Sequence, residues 1–373
     1  MTAASGLLCI ALGTVHAFSV LLTPLEELFG ASRSAVSLTY SVALFCLTAA
    51  VLFGPRVFHR MTAPAIILGA ALTAAFGAIL TAFAPAVWGV WLGYGVVFGA
   101  ANGIGYGFGL QVSAAAAPGR EGLVMGIVTA CYAIGAALAP GAFLSALTYG
   151  GITAAILGLA AVLAVAGIGA VLILSGCRID LPMPMSETPQ RGPKQGVAVL
   201  RLAYGAGVAA GLMVIGHAAE IARSADPGIA LWLAPTLMAL ANMVGSLTGG
   251  ILTDRAGWRW PLLVLPLASA LALCLLLAMP TASVTLAALA MIGGAYGAII
   301  AVYPAAIAKV FGIEDSAAIY GRVFIAWGAA GLAAPWLAGL LFDQTGGYAS
   351  AIGIAVLLSF ASTALVLRLP RTV

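Results

Sequence analysis

The fold is decided by a short polar stretch, Gly249-Gly250-Ile251-Leu252-Thr253-Asp254-Arg255-Ala256-Gly257-Trp258-Arg259, which separates two long apolar runs. It fits the pattern G-x-x-x-D-R-x-G-x-R, whose fixed points are Gly250, Asp254, Arg255, Gly257 and Arg259. A turn this short between two membrane-length helices makes them an antiparallel hairpin. The charged residues hold the turn at the water boundary, and the glycines let helices approach each other closely.

The composition is that of an integral membrane protein. Of the 373 residues, 63% are hydrophobic and only 7% are charged, and the mean hydropathy is +1.15. A soluble domain carries about 25% charged residues, so nearly all of this chain is expected to lie in lipid. The net charge of +4 comes from cations in the predicted loops, and it does not indicate nucleic-acid binding. The five cysteines show neither a disulfide nor a metal-binding spacing, and we expect no metal or cofactor.

The apolar runs predict twelve membrane spans, each near the roughly 20 residues that a helix needs to cross the bilayer. All twelve are expected to be helices, because lipid leaves an unclosed backbone no other way to satisfy its polar groups. In order, the predicted spans are 6–27, 34–54, 63–84, 87–113, 122–147, 152–176, 199–222, 229–252, 261–280, 284–307, 323–341 and 349–368.

A polar stretch from Arg178 to Gln195 divides the spans six and six. We therefore predict an N-terminal bundle over 1–176, a flexible cytoplasmic linker over 177–198 and a C-terminal bundle over 199–373. The halves look like repeats, because Phe58 and Asp254 are separated by almost the same number of residues as Pro140 and Pro335.

The stretch around Asp254 resembles the loop signature of the major facilitator superfamily, which recurs between helices 2–3 and 8–9 of that family. The resemblance covers the whole chain. It implies an all-α membrane protein with twelve transmembrane helices in two six-helix bundles, with a substrate site near the midplane.

The distribution of cations predicts the orientation of the chain. With the N-terminus inside, only Arg33 and Arg223 lie on the outer side, and cytoplasmic loops are the ones that carry an excess of Lys and Arg. Both termini are thus expected in the cytoplasm, and in a bacterial host the protein is expected in the inner membrane.

Ionisable groups inside spans are expensive and are therefore functional candidates. His16 lies near the middle of span 1, and its imidazole could meet an anionic substrate or a transported proton. His217 and Glu220 lie three residues apart in the outer part of span 7 and so on one helix face, a spacing that would suit a proton relay. The alternatives are a hydrogen-bonded structural histidine for His16 and a place at the outer water boundary for Glu220.

Uncharged polar and aromatic side chains in the spans are the second set of candidates, because hydroxyl and amide groups can orient a small polar solute in an apolar cleft. For each of them, interhelical hydrogen bonding is the competing interpretation. The set is Tyr40, Asn102, Tyr106, Tyr132, Asn242, Tyr296, Tyr303 and Trp327.

The charged loop after span 8 is a candidate gate. In the superfamily arrangement Asp254, Arg255 and Arg259 would face the cytoplasmic start of span 5, near Arg120, and their contacts would hold that side closed. Phe58 stands where the first half should carry the acid, so we expect charge locking on one side only.

The first two spans resemble the oxalate/formate antiporter branch and the related monocarboxylate transporters. The stretches that carry this resemblance are His16-Ala-Phe-Ser-Val20, Thr23-Pro24-Leu25 and Arg33-Ser34 with Val36-Ser37-Leu38. The resemblance implies transport of small carboxylates by proton symport or anion exchange. Spans 8 and 11 carry no cation that would offset a dianion, so we expect a monocarboxylate rather than oxalate.

Three other functions remain open at this point. The chain could export hydrophobic or amphiphilic compounds, it could import a soft metal through Met213 and His217, or it could be a non-transporting receptor or assembly factor. An enzyme is not expected, because no set of nucleophile and base appears. We expect a monomer whose partners are the lipid bilayer, a small-molecule substrate and protons.

Overall fold

The structure is a computed structural model that describes residues 1–58, 61–117, 120–175, 196–311 and 313–369. Eleven of the described helices are long and apolar enough to cross a membrane. One of them spans Glu121–Ser175, whose 55 residues would extend about 80 Å as a single helix. Its backbone breaks at Gly151, where φ is +68° and ψ is −167°, so it is two antiparallel spans. The predicted total of twelve spans is confirmed.

We number the spans α1 to α12 in chain order. Their bounds are α1 Thr2–Phe29, α2 Arg33–Phe53, α3 Ala63–Ala82, α4 Val87–Ala115, α5 and α6 before and after Gly151 in Glu121–Ser175, α7 Val197–Ile215 continued by Ala218–Ala225, α8 Leu233–Ala256, α9 Arg259–Ala278, α10 Ala282–Phe311, α11 Ile313–Thr345 and α12 Ala349–Leu367.

The chain divides into two compact units, an N-terminal unit over Met1–Met185 and a C-terminal unit over Ser186–Val373. Each contains six spans. The predicted linker falls almost entirely within 176–195, outside the described residues, so its bounds stay a prediction. Many exposed side chains are large and apolar, such as Leu138, Val165 and Leu357, as expected of helix faces that meet lipid.

The motif loop closes in two residues. α8 ends at Ala256, Gly257 adopts φ +74°, and α9 begins at Arg259. A positive φ is a conformation that glycine adopts without strain, which explains the glycine at this point of the pattern. The predicted antiparallel hairpin of α8 and α9 therefore forms.

Glycines on α4 explain how α2 and α4 pack in the N-terminal unit. Gly95, Gly99 and Gly103 recur every four residues and thus share one helix face. A Cβ added at Gly99 would meet the carbonyl oxygen of Ala43 at 2.6 Å. At Gly103 it would overlap the carbonyl oxygen of Leu47. The two backbones are in direct contact, as small residues allow in membranes.

The C-terminal unit repeats this contact between α8 and α10. A Cβ added at Gly245 would overlap the carbonyl oxygen of Gly294, and one at Gly293 would overlap that of Met238. At Gly249, the residue before the motif's first glycine, it would lie 2.9 Å from the carbonyl oxygen of Ala298. Gly249 therefore serves close packing against α10 rather than against the hairpin partner α9.

Two segments of the N-terminal unit depart from α-helical geometry. Within α1, Gly13–Leu21 is a 3-10 helix, and within α4, Trp91–Phe98 is a π-helix. A 3-10 stretch of nine residues is unusually long, and π-helical turns occur frequently at functional sites. Neither segment is predicted by the hydropathy of the sequence. His16 lies inside the first of them.

Candidate functional site

The imidazole of His16 is held from two sides and remains open on a third. Its Nδ1 lies 2.7 Å from the hydroxyl oxygen of Tyr40 on α2, and its ring meets the edge of the Tyr132 ring with 5.7 Å between centroids. The side chain is partly exposed. Among the residues that the structure describes, its Nε2 has no hydrogen-bond partner. This nitrogen is therefore available to an added molecule.

Asn102 connects three helices beside His16. It is fully buried on α4, its Nδ2 donates to the carbonyl oxygen of Leu12 on α1 at 2.7 Å, and its Oδ1 accepts from the Tyr132 hydroxyl on α5 at 3.0 Å. Leu12 is the last α-helical residue before the 3-10 segment. Asn102 thus touches both the start of that segment and the ring that contacts His16.

Tyr106, one turn further along α4, extends this cluster. Its ring packs on the Tyr132 ring with 4.8 Å between centroids, and its hydroxyl lies 3.4 Å from Thr129 Oγ1. The Thr129 hydroxyl already donates to the carbonyl of Met125, so Tyr106 is the donor of the pair. Four of the predicted residues thus come together around His16, namely Tyr40, Asn102, Tyr106 and Tyr132.

Two aromatic residues that the sequence analysis did not select support this cluster. Phe18, in the 3-10 segment, stacks on Tyr40 with 5.8 Å between centroids, and it also contacts Tyr94 in the π-helix at 5.2 Å. The two non-α segments therefore meet through Phe18. Nothing in an apolar stretch distinguishes such a phenylalanine from an ordinary core residue.

His217 has a different environment. It is fully buried, its Nε2 lies 2.9 Å from the carbonyl oxygen of Pro335 on α11, and its Nδ1 lies 3.2 Å from the Tyr348 hydroxyl. A carbonyl can only accept, so Nε2 carries the proton, and in the neutral ring Nδ1 accepts from Tyr348. Both nitrogens are occupied by protein partners.

The predicted relay of His217 and Glu220 stays a prediction, and the structure shows where the two residues lie. α7 is interrupted at Gly216 and His217, where His217 has φ −125° and ψ +12°. His217 is the N-cap of the segment Ala218–Ala225, and its carbonyl accepts from the Ile221 amide at 2.9 Å. Glu220 lies in the first turn of the segment Ala218–Ala225 and is mostly buried.

The aromatic candidates of the C-terminal unit form a second buried cluster. Trp327 Nε1 on α11 donates to the Tyr296 hydroxyl on α10 at 2.9 Å, and Trp327 stacks on Phe324 with 5.5 Å between centroids. The ring of Tyr303 packs on Tyr204 at 4.5 Å. All but Phe324 are buried, so most of this cluster is core packing.

Asn242 takes part in the contact between α8 and α10. Ser246 Oγ lies 3.2 Å from its amide oxygen and 3.1 Å from the carbonyl oxygen of Gly297. Asn242 and Ser246 are only partly buried. The amide therefore has an interhelical role and is also partly accessible.

The two clusters occupy matching positions in the repeats. Tyr132 precedes Pro140 by as many residues as Trp327 precedes Pro335. Each donates to the neighbouring span, Tyr132 to Asn102 and Trp327 to Tyr296. Within the described residues of the C-terminal unit, the only histidine is the paired His217.

The predicted gate residues separate into two groups. Arg259 Nη1 and Nη2 donate to the carbonyl oxygens of Leu369 and Leu367 at 2.7 and 3.1 Å, so this cation binds the C-terminal end of α12. Arg120 and Arg255 are exposed. The side chain of Asp254 lies outside the described residues, and its predicted contact with the start of α5 stays a prediction.

One buried ion pair was not selected from the sequence. Arg33 and Glu26 form two hydrogen bonds of 2.7 and 2.8 Å, and Arg33 Nη2 also lies 3.2 Å from Thr23 Oγ1. The side chain of Arg33 is 8% exposed. This cation is therefore already neutralised by its own unit.

The described residues contain no group of three or more His, Cys, Asp or Glu side chains that could hold a metal ion. Met213 is buried, and His217 uses both nitrogens for protein contacts. The soft-metal interpretation gains no support from this part of the chain.

The chain matches no protein-family model. It is 25% identical over 331 residues to the uncharacterized MFS-type transporter YhjX of Escherichia coli strain K12, covering 85% of this chain and 82% of that protein. Its fold matches the crystal structure of a bacterial homolog to the human lysosomal transporter Spinster, inward-facing and unoccupied, with a TM-score of 0.70, 15% identity and coverage of 98% of this chain and 93% of that one.

A second structure of a bacterial Spinster homolog, inward-facing and occupied, matches with a TM-score of 0.68 and 15% identity, again over 98% and 93% of the two chains. The chain therefore has the fold of these transporters. The predicted major facilitator fold of twelve transmembrane helices is confirmed.

Proposed function

We propose that this chain is a secondary active transporter that moves a small organic solute across the membrane by alternating access. The similarity to an MFS-type transporter over most of both chains and the shared fold support transport rather than enzyme catalysis. The proposed solute is a monocarboxylate, carried with a proton or exchanged for another anion.

The observation that carries the proposal is the open Nε2 of His16. A polar group in a membrane span normally finds a protein partner, as His217 does with both nitrogens. The His16 ring is fixed by Tyr40 and Tyr132, yet its Nε2 remains unpaired within the described chain. A fixed ring with one open nitrogen suits a group that binds a carboxylate, a proton or both.

The partners of two cations, Arg33 and Arg259, favour a solute of low net charge. The buried Arg33 is neutralised by Glu26, and Arg259 binds backbone carbonyls at the end of α12. Neither is available to offset a dianion, and an uncompensated charge away from water is costly. A monoanion that enters with one proton meets this condition, because the pair is neutral.

The first test is uptake of labelled formate, lactate, pyruvate and oxalate into proteoliposomes, with and without an inward proton gradient. We expect gradient-stimulated uptake of a monocarboxylate. Oxalate exchange that does not depend on pH would contradict the argument about charge. No flux of any of the four acids would overturn the monocarboxylate assignment and favour export of amphiphilic compounds, which drug sensitivity of a deletion strain would then test.

Two substitutions distinguish the roles of the two ring nitrogens of His16. In His16→Gln the amide nitrogen reaches the position of Nε2 but does not titrate, so we expect solute exchange to continue without stimulation by the proton gradient. In His16→Asn the amide reaches only the position of Nδ1, so we expect both activities to be lost. His59→Gln, in the predicted cytoplasmic loop after span 2, is the matched control and should transport normally. Equal behaviour of His16→Gln and the wild type in a gradient would contradict the proton role.

A further inference from the structure

The cluster beside His16 contains two polar side chains, on Asn102 and Tyr132, whose partners are protein groups. Every hydrogen bond of Asn102 in the structure joins it to Leu12 or Tyr132, and Asn102 is fully buried. It therefore makes no contact that a solute could replace without breaking a bond between helices. Its position on α4, with hydrogen bonds to α1 and α5, indicates a role other than binding the solute.

We propose that Asn102 is a positioning residue, which acts through Tyr132 and the 3-10 segment to fix the direction of His16 Nε2. This inference rests on the proposed function in one respect, that His16 Nε2 is the atom that binds the solute or the proton. Asn102 and Tyr132 do not themselves touch the solute.

The side chain of Tyr132 is held at both ends. A Cβ at Gly13 would overlap the carbonyl oxygen of Tyr132, so the backbones of α1 and α5 are in contact at this residue. At the other end of the side chain, the hydroxyl donates to Asn102. A ring fixed at its backbone and at its hydroxyl keeps one orientation, and this is the ring whose edge meets His16.

The backbone that carries His16 is also held by Asn102. The hydrogen-bond register of a helix changes where α geometry becomes 3-10 geometry, and carbonyls near such a change need other donors. Thr14 Oγ1 donates to the carbonyl of Ala11 at 2.7 Å, and Asn102 Nδ2 donates to that of Leu12 at 2.7 Å. Asn102 therefore stabilises the start of the segment, four residues before His16.

The His16 ring has few other restraints. Its recorded contacts are the Tyr40 hydroxyl and the rings of Tyr40 and Tyr132. If the Tyr132 ring or the start of the 3-10 segment moves, the imidazole pivots about its bond to Tyr40 and Nε2 changes direction. A small misplacement of a binding group costs much activity, by up to about a hundredfold.

The test uses the chain's three histidines as spectroscopic probes. The full-length protein is prepared in lipid nanodiscs with histidine 13C-labelled in the ring, and signals are assigned by replacing each histidine in turn. We compare Tyr132→Phe, Asn102→Leu and the double variant with the wild type. His217, in the other unit, is the internal reference.

We expect Tyr132→Phe and Asn102→Leu to shift the His16 signal and to leave the His217 signal unchanged. The double variant should resemble Asn102→Leu alone, because the bond between the two residues is already absent there. Tyr132→Phe is expected to fold even if Asn102→Leu does not, because it removes only one hydroxyl. It keeps both the ring and the hydrogen bond of Asn102 to Leu12. Thr48→Val, which removes a buried hydroxyl bonded only within its own helix, is the matched control and should shift neither signal.

Transport separates this inference from the proposed function. In a transporting protein, we expect Tyr132→Phe to lower kcat/KM about tenfold or more, with Thr48→Val unchanged. If no solute is transported but the His16 signal still shifts, the positioning role stands and the proposed function fails. An unshifted His16 signal in folded Tyr132→Phe and Asn102→Leu would overturn the positioning role, whatever the transport result.

Discussion

The partners of the two membrane histidines decide their chemistry at the residue scale. His217 donates from Nε2 to a carbonyl and accepts at Nδ1 from Tyr348. To titrate, it would have to give up the acceptor bond at Nδ1 inside a fully buried site. In the tautomer in which His16 Nδ1–H donates to the Tyr40 hydroxyl, the bare Nε2 can gain a proton without breaking a bond to protein, and in the other tautomer Nε2–H can donate to a ligand. The His217 ring therefore suits a structural role, and the His16 ring suits the binding and release of a proton or ligand.

His217→Ala should lower stability and leave proton coupling intact. It removes two hydrogen bonds and leaves the Pro335 carbonyl and a buried hydroxyl to find other partners, at a cost of about 1–3 kcal/mol for each group left unsatisfied. We expect a lower midpoint of thermal unfolding in detergent. Transport per folded molecule should stay close to the wild type and keep its dependence on the proton gradient.

His217→Gln is the companion variant, because its amide can still donate to the Pro335 carbonyl. It should recover part of the lost stability. Loss of gradient stimulation in a stably folded His217→Gln would show that the pairing with protein groups is not the whole role of His217, and the relay with Glu220 would then be the better hypothesis.

At the element scale, α1 and α5 touch backbone to backbone. A Cβ at Gly13 would overlap the carbonyl oxygen of Tyr132, and one at Gly135 would overlap that of Ile10. Both overlaps involve main-chain atoms, which cannot move aside as a flexible side chain can. The contact fixes where the 3-10 segment begins relative to α5.

Gly13→Ala and Gly135→Ala should each separate α1 from α5. Because no rotamer change relieves an overlap with a carbonyl, we expect losses of several kcal/mol or a failure to fold, in the range of severe overpacking. The measurement is the yield of monodisperse protein together with the unfolding midpoint. Near-normal stability of either variant would mean that the two helices are not in backbone contact.

Gly141→Ala is the matched control, because it lies on α5 like Gly135 and a Cβ there meets nothing within 4 Å. Alanine favours a helix over glycine by up to about 1 kcal/mol. The control should therefore be neutral or slightly stabilising.

Most of the spans could be predicted from the sequence, because a membrane span is a long apolar run whose ends are marked by glycine, proline and charged residues. α2 was predicted at 34–54 and runs Arg33–Phe53, and α12 was predicted at 349–368 and runs Ala349–Leu367. What escaped prediction lies inside the spans. The 3-10, π-helical and broken segments depend on contacts with other helices, such as that of Asn102 with Leu12. The hydropathy of the sequence does not predict these contacts.

The site was predictable only as a set of residue types. His16, Tyr40, Asn102 and Tyr132 are unusual in apolar helices, so they were selected, and the structure brings them together. Which of them has an open atom could not be read from the sequence, since Tyr40 is 24 residues from His16 and Pro335 is 118 residues from His217. Phe18 was missed because a phenylalanine in an apolar run carries no signal.

At the scale of the whole molecule, the two units repeat one plan with different chemistry. Each has a donor on its fifth span bonded to its fourth span, Tyr132 to Asn102 and Trp327 to Tyr296. The open imidazole, however, belongs to the N-terminal unit. The loop after the second span differs as well. Where the C-terminal unit has Asp254, the N-terminal unit has Phe58, which is buried and packs on Phe108 with 5.1 Å between ring centroids.

Of the two matching loops, only the one in the C-terminal unit carries an acid at this position, Asp254. Phe58 is committed to the interior of its own unit, so it cannot supply a charged contact, whereas Asp254 can interact with the N-terminal end of a helix through its carboxylate. If charge locks the cytoplasmic side, the lock depends on Asp254. Asp254→Ala should shift the protein toward the inward-open state, by a free energy on the order of 0.3–1 kcal/mol if the contact is exposed.

The measurement is the labelling rate of single cysteines introduced along α5 and α8 in a variant without the native cysteines. Labelling from the cytoplasmic side should become faster and labelling from the outside slower, by up to about fivefold, since each 1.4 kcal/mol is tenfold in an equilibrium. Phe58→Ala is the comparison at the matching loop. It removes packing but no charge, so it should lower stability without changing the balance between the two sides. Equal labelling of Asp254→Ala and the parent on both sides would exclude a charge lock at this loop.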